Sequence, residues 1–245
     1  MKKLILSLPV IACLFVLTPS CSKKSSGGSA ASSCQIITIL DSSSSGNTIF
    51  NLTYNNNGKV STIQNTSVTN PTTEVFTYSG NDILITTTGT GNVFVSSDSI
   101  VTNSAGLITF SQLVDASSDT TVYTFTYDGN NDLLKQTSQT NSGTISTSTF
   151  TYTNGDLTSS SDGTNTTTYS YTNSKPSENG DYIHIFQLFN YGGQAIKTAH
   201  LIQSLTAGST VDNFNYTFDS SGKITSLTLT SGAVVETVSY QYQCN

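Results

Sequence analysis

The feature that most constrains this chain is a strand-and-turn unit recurring about every 24 residues, a period that points to a meandering sheet. Phe50-Asn51-Leu52-Thr53-Tyr54 runs into the polar turn Asn55-Asn56-Asn57-Gly58-Lys59. The position of Tyr54 is then matched by Tyr78, Thr102, Tyr127, Tyr152, Tyr171, Tyr191, Phe218 and Tyr242, with most steps of 24 or 25 residues. The Thr102 copy lacks the aromatic but keeps the turn, Asn103-Ser104-Ala105-Gly106-Leu107.

Within each copy the side chains alternate with a period of two. Tyr123, Phe125 and Tyr127 share one face and Val122, Thr124 and Thr126 the other; Phe214, Tyr216 and Phe218 oppose Asn213, Asn215 and Thr217. These are half-buried antiparallel strands. Turns such as Asp128-Gly129-Asn130, Asn154-Gly155-Asp156 and Asp219-Ser220-Ser221-Gly222 supply residues that tolerate left-handed backbone or bond their own main chain. Nine strand pairs predict an all-β protein, a large antiparallel up-and-down meander of roughly 16–18 strands, curled or closed into a barrel-like sheet. No stretch after Cys34 shows a helical period. The one irregular place is a loop at Asn173–Asp181, followed by Tyr182–Phe189, which reads as a strand buried on both faces.

The ends of the chain give an address. Lys2 and Lys3 precede an apolar run from Leu4 to Leu17, shorter than the ~20 residues of a membrane-crossing helix, and small residues stand just before Cys21. Residues 1–20 are predicted to be a signal peptide. The run resembles a lipoprotein signal, which implies that Cys21 receives the lipid. Residues 21–33 are rich in Ser, Gly and Ala and cannot bury a core, so they read as a lipidated flexible tether. Residues 34–245 form a single repetitive β domain, a length that suits one all-β unit. Cys13 leaves with the signal and Cys21 is consumed by lipid; Cys34 and Cys244 remain, either bridged or as two thiols at frayed ends.

The aromatic-x-Tyr, polar turn, Gly and aliphatic sequence, as in Tyr54–Val60 and Phe218–Ile224, resembles the YD-type repeat of bacterial surface proteins. Joined to the lipoprotein signal, it looks like a Bacteroidota lipoprotein domain of unknown function with a porin-like fold, over roughly Cys34–Cys244. The resemblance implies a curved or closed antiparallel sheet and brings no catalytic residues. It also implies anchorage in the outer membrane. Lys23 and Lys24 stand where some surface-displayed relatives carry acidic residues, so the segment does not select the periplasmic or the outer face.

Candidate chemistry is sparse. Asp128, Asn130 and Asp132 have the first spacings of a calcium loop, but Leu133 and Gln139 replace its Gly and Glu, so a hairpin turn is expected and no metal. His184 and His200 are the only histidines; His184 reads as core, and His200 has no acidic neighbour in sequence. No nucleophile elbow is present. Asp98-Ser99-Ile100 and Asp119-Thr120-Thr121 match a short Bacteroidota O-glycosylation sequon, which makes Ser99 and Thr120 candidate acceptors. The twelve tyrosines could serve a sugar-binding face but fall mostly on the core pattern.

Charge narrows the partners. Beyond Cys34, five lysines and no arginine stand against fifteen acids, which excludes a phosphate-neutralising nucleic-acid surface and a basic membrane patch. The sequence therefore predicts a non-catalytic envelope binding or scaffold protein without cofactor. Its partners are the membrane through Cys21 and a glycan or envelope protein. The alternative is a carrier of lipid or another hydrophobic ligand inside the curled sheet.

Overall fold

The structure, a computed structural model, describes residues 34–43, 46–67 and 70–244. The chain enters through β1 (Cys34–Ser43), β2 (Gly46–Tyr54), β3 (Val60–Asn65), β4 (Thr72–Ser79), β5 (Asp82–Thr88) and β6 (Phe94–Thr102). It continues through β7 (Ile108–Asp115), β8 (Thr120–Tyr127), β9 (Leu133–Thr140), β10 (Ile145–Thr153), β11 (Asp156–Ser161) and β12 (Thr166–Pro176). A helix, α1 (Tyr182–Tyr191), precedes β13 (His200–Ala207), β14 (Thr210–Phe218), β15 (Ile224–Ser231) and β16 (Val234–Cys244). Each strand pairs antiparallel with its sequence neighbours, and β1 pairs with β16, so sixteen strands close into a barrel. The predicted up-and-down meander is the observed fold. At the seam Cys34 lies opposite Cys244 and the two are joined as a disulfide, with Cα atoms 4.0 Å apart.

The turns owe their shape to one recurring side-chain bond. Oδ1 of Asn55, Asn103, Asp115, Asp128 or Asp219 accepts from the backbone N–H groups two and four residues on. The residue at the third step is left-handed in each: Gly58, Gly106, Ser118, Asn131 and Gly222. The Asp128 turn is therefore a hairpin like its siblings.

The repeated tyrosine has a second task besides filling the core. In the odd-to-even hairpins other than β5–β6, whose ladder starts at Asp82 opposite Val101 and whose copy has Thr102 in place of the tyrosine, the ladder stops before the first residues of the odd strand; β3 and β4, for example, pair only from Thr62 opposite Val75. The carbonyl left in that wedge is met by a phenol. Tyr78 donates to the Val60 carbonyl at 2.8 Å, Tyr54 to Ile36 at 2.6 Å and Tyr127 to Ile108 at 2.7 Å. Tyr171 donates to Leu157 at 2.8 Å and Tyr242 to Ile224 at 2.7 Å. Buried carbonyls need such partners, and the phenol supplies one without breaking the apolar lining.

Two expectations are corrected. Tyr182–Phe189 is not a strand but most of α1, and the chain does hold a helix. Residues 177–199 enlarge the turn between β12 and β13 and fold into the barrel, where the helix packs against apolar side chains and even Gln187 is buried, so the polar face that usually reveals a helical period is reduced to His184 and Gln187. Tyr191 is the last residue of that helix, not a strand end, which reduces nine repeats to eight hairpins. The helix is capped by Asp181, whose Oδ1 accepts from the His184 N–H at 2.6 Å, and by left-handed Gly192.

α1 runs as a chord across the lumen. The Tyr182 ring meets Phe214 of β14 at 4.3 Å between centroids, and Phe189 meets Phe50 of β2 at 4.5 Å. Gly192 sits so close to Phe76 of β4 that a Cβ there would lie 2.1 Å from its ring. Inward-facing Leu52, Phe76, Ile100, Phe125, Phe150 and Phe214 complete the core, while outward-facing Thr77, Thr124, Thr126, Thr149, Asn213 and Asn215 are exposed.

Candidate functional site

Three polar constellations stand out against this core. The first joins β11 to the return of the plug. Asp156, at the start of β11, accepts from the N–H groups of Ala199 and His200, each at 2.9 Å, while its second oxygen lies 2.7 Å from His200 Nδ1. His200 thus has an acidic partner after all, 44 positions away in sequence, contrary to what its neighbours suggested. The arrangement pins the start of β13. Every bond that defines it is structural.

His184, the other histidine, is half-buried in α1, with its ring Nε2 inside. Its Nδ1 accepts from the Gly180 N–H at 3.0 Å, and desolvation pushes the imidazole down to about 4, so it stays neutral. As expected, it is a core residue. It does not approach the Asp156–His200 pair through any bond among the described residues. Beside it, burial pushes the capping Asp181 up to about 6, against the Ser177 hydroxyl and the N–H groups that favour its charge.

The second constellation lines the upper lumen near the seam. Asp41, Asp212 and Glu236 face inward and are buried. Asp41 and Glu236 bond each other across the β1–β16 seam. Among the described residues, no group of three or more His, Cys, Asp or Glu side chains has a geometry that would hold a metal ion.

The third is a cleft. The ladder between β9 and β10 stops at Lys135 opposite Thr149, and the wedge beneath it holds a pocket of about 480 Å³. Asp128, Asn130, Asp132, Leu134, Tyr152 and Asn154 line it. The plug's exit passes its rim: Ala199 donates to the Gly155 carbonyl at 3.0 Å and its methyl group packs on Gly155. Desolvation, with Asp128 nearby, raises the Asp132 carboxyl, and the Lys197 charge opposes that rise.

With this geometry in view, the fold has a counterpart among solved structures. The chain is similar to a porin-like protein from Bacteroides uniformis ATCC 8492, with a TM-score of 0.64 and 18% identity over 85% of this chain and 98% of that one. A porin-like protein from Bacteroides vulgatus ATCC 8482 covers the same shares at 12% identity and a TM-score of 0.44. No protein-family model matches, and no curated protein does. The likeness concerns the barrel and carries no site residue across.

The remaining sequence candidates are dispersed. Cys21 lies outside the described residues. Ser99 is exposed on the outer face of β6, next to Asp98, which turns inward to accept from the Ser111 hydroxyl at 2.7 Å. Thr120 begins β8 at the opposite rim from the tyrosine wedges and is half-buried. Sequence reasoning missed Asp156, Asn154, Lys197 and the Asp41–Glu236 pair. Only the first had a local signal, its place after the Asn154-Gly155 turn.

Proposed function

We propose that this chain is a non-catalytic lipoprotein of the cell envelope, a barrel that stands in water on a tether from Cys21 and binds another envelope component. The observation that carries the reading is the polarity of the wall. A barrel crossing a bilayer turns an apolar band outward and a polar lining inward. Here Thr124, Thr126, Thr149, Asn213 and Asn215 face out, with single apolar residues such as Val75, Leu84 and Val211 exposed among them, and Phe125, Phe150 and Phe214 face in. Such a wall belongs in water, so attachment to the outer membrane falls to the lipid at Cys21. The porin-like Bacteroides neighbour shares the barrel fold and supplies no activity.

The binding reading is preferred to the hydrophobic carrier because α1 and the rings of Tyr182, Phe189, Phe50 and Phe214 take up the lumen that such a cargo would fill. It is preferred to an enzyme because His184 is neutral and enclosed, and Asp156 is spent on fixing His200 and its backbone. Exposed Ser99 is an accessible acceptor for a glycan, which intact-mass measurement of the native protein detects as added hexose.

Detergent-phase partitioning of the native protein and its Cys21→Ala variant tests the reading. Wild type is expected in the detergent phase and with the outer-membrane fraction, and the variant in the aqueous phase with its barrel folded. A variant that still requires detergent for solubility would refute it.

A further inference from the structure

We propose that the wedge between β9 and β10 is a binding site for a neutral saccharide. The proposal rests on the binding reading above and names its ligand class.

The volume of about 480 Å³ lies within the roughly 300–1,000 Å³ of small-ligand pockets. Its position follows from the fold. Odd-to-even hairpins such as β3–β4 and β9–β10 splay at this end, and here the plug's exit segment runs past the opening, with Ala199 bonded to Gly155 and the Lys197 charge acting on Asp132. The wedge thereby gains a third wall that a plain hairpin would not have.

The lining selects the chemistry. The Asp128 Oδ1 atom is occupied by the N–H groups of Asn130 and Asp132, at 2.8 and 2.9 Å, and serves the turn. The Asp132 carboxylate makes no hydrogen bond among the described residues and is open to accept two. Asn130 and Asn154 bring carboxamides, each both donor and acceptor, and the Lys197 charge acts on Asp132 from outside the lining. Leu134, exposed on β9, and the Tyr152 ring supply an apolar wall. Alternating donors and acceptors beside an apolar strip match vicinal hydroxyls on one side of a sugar ring and its C–H face on the other. Two carboxylates repel an anionic ligand, and Lys197 opposes a cationic one.

The test is amide chemical-shift mapping on the isotope-labelled full chain in detergent micelles, titrated to millimolar concentrations with maltose, cellobiose and lactose, and with calcium chloride alone. At least one disaccharide is expected to shift the amides of Asn130, Asp132, Leu134 and Gly155 saturably. Asp132→Ala and Asn130→Ala, which remove no bond of the turn, should keep the spectrum of a folded barrel and weaken that binding about tenfold or more. The proposal is overturned if no disaccharide shifts these amides, if the shifts fall elsewhere, if calcium alone moves them, or if both variants bind as wild type does. None of those results touches the anchored-barrel reading, whose failure would show as a Cys21→Ala variant that stays in the detergent phase.

Discussion

Asp41 on β1 and Glu236 on β16 bond carboxyl to carboxylate inside the barrel, across the seam that closes it. Burial is the main cause that pushes both groups up, Asp41 to about 6 and Glu236 to about 7; the Asp41 charge adds to the rise at Glu236. Glu236 therefore keeps its proton longer and donates it to Asp41. In the unfolded chain both ionise near 4. The folded state then holds more protons between about pH 4 and pH 7. The stability this gives is fully present below the unfolded values and is lost as pH rises through the folded ones.

Chemical denaturation should accordingly show a higher midpoint at pH 5 than at pH 8. Glu236→Gln keeps a donor for Asp41 and removes the shared proton, so its midpoint should change less over that interval. An equal pH slope in the variant and wild type would assign the dependence to other groups.

The tyrosine phenols make a matched series. Tyr78→Phe leaves the ring in place but orphans the Val60 carbonyl, a loss of about 1–2 kcal/mol. Tyr54→Phe and Tyr127→Phe should cost the same, because each removes the same bond in a different hairpin. Thermal melts resolve this, since 1 kcal/mol shifts the midpoint by roughly 2–4 °C in a chain of this size. A silent series would mean that the phenols only fill space.

How far the sequence could be read follows from the range of each signal. The period-two alternation and the Asn/Asp-Gly turns are local, and they carried the barrel's strands, their direction and the inward aromatic face. Tyr182–Phe189 misled because its only polar residues, His184 and Gln187, three apart, give a single helical step in a run of eight, too short to fix a period. Its caps, Asp181 and Gly192, were the better evidence, as both suit helix ends. The phenol bonds span 14 to 19 residues across a register that only the folded sheet defines. The same is true of the cleft: Asp132 and Asn154 line one wedge and Ala199 bonds Gly155 beside it because a plug returns past that place, and no spacing announces that.

Gly192 is the position where the plug is most exposed to damage. It is left-handed, and a methyl group would collide with the Phe76 ring, whose neighbours Ile85 and α1 leave it no room. Gly192→Ala should destabilise by about 3 kcal/mol or more, combining backbone strain with overpacking. Gly208 has a similar φ, and nothing lies within 4 Å of a Cβ built there. Gly208→Ala should therefore cost only the strain, about 1 kcal/mol. Equal losses in the two variants would show that the helix yields.

The Cys34–Cys244 bridge ties strands 210 residues apart in sequence, at the last rung of the β1–β16 ladder. Its effect should fall on the unfolded chain. The seam already has backbone pairing from Gln35 opposite Gln243 to Ser42 opposite Thr237, so reduction leaves the barrel closed. What reduction frees is a loop nearly as long as the folded domain, whose closure entropy sets an upper figure of about 5 kcal/mol. The double variant Cys34→Ser, Cys244→Ser should thus show the far-ultraviolet spectrum of wild type and a lower denaturation midpoint. Treatment with a thiol reductant should lower the wild-type midpoint to the same place and leave the variant unmoved. If reduction instead flattened the strand spectrum, the bridge would be holding the seam itself, and the ladder between β1 and β16 would be too weak to close the barrel alone.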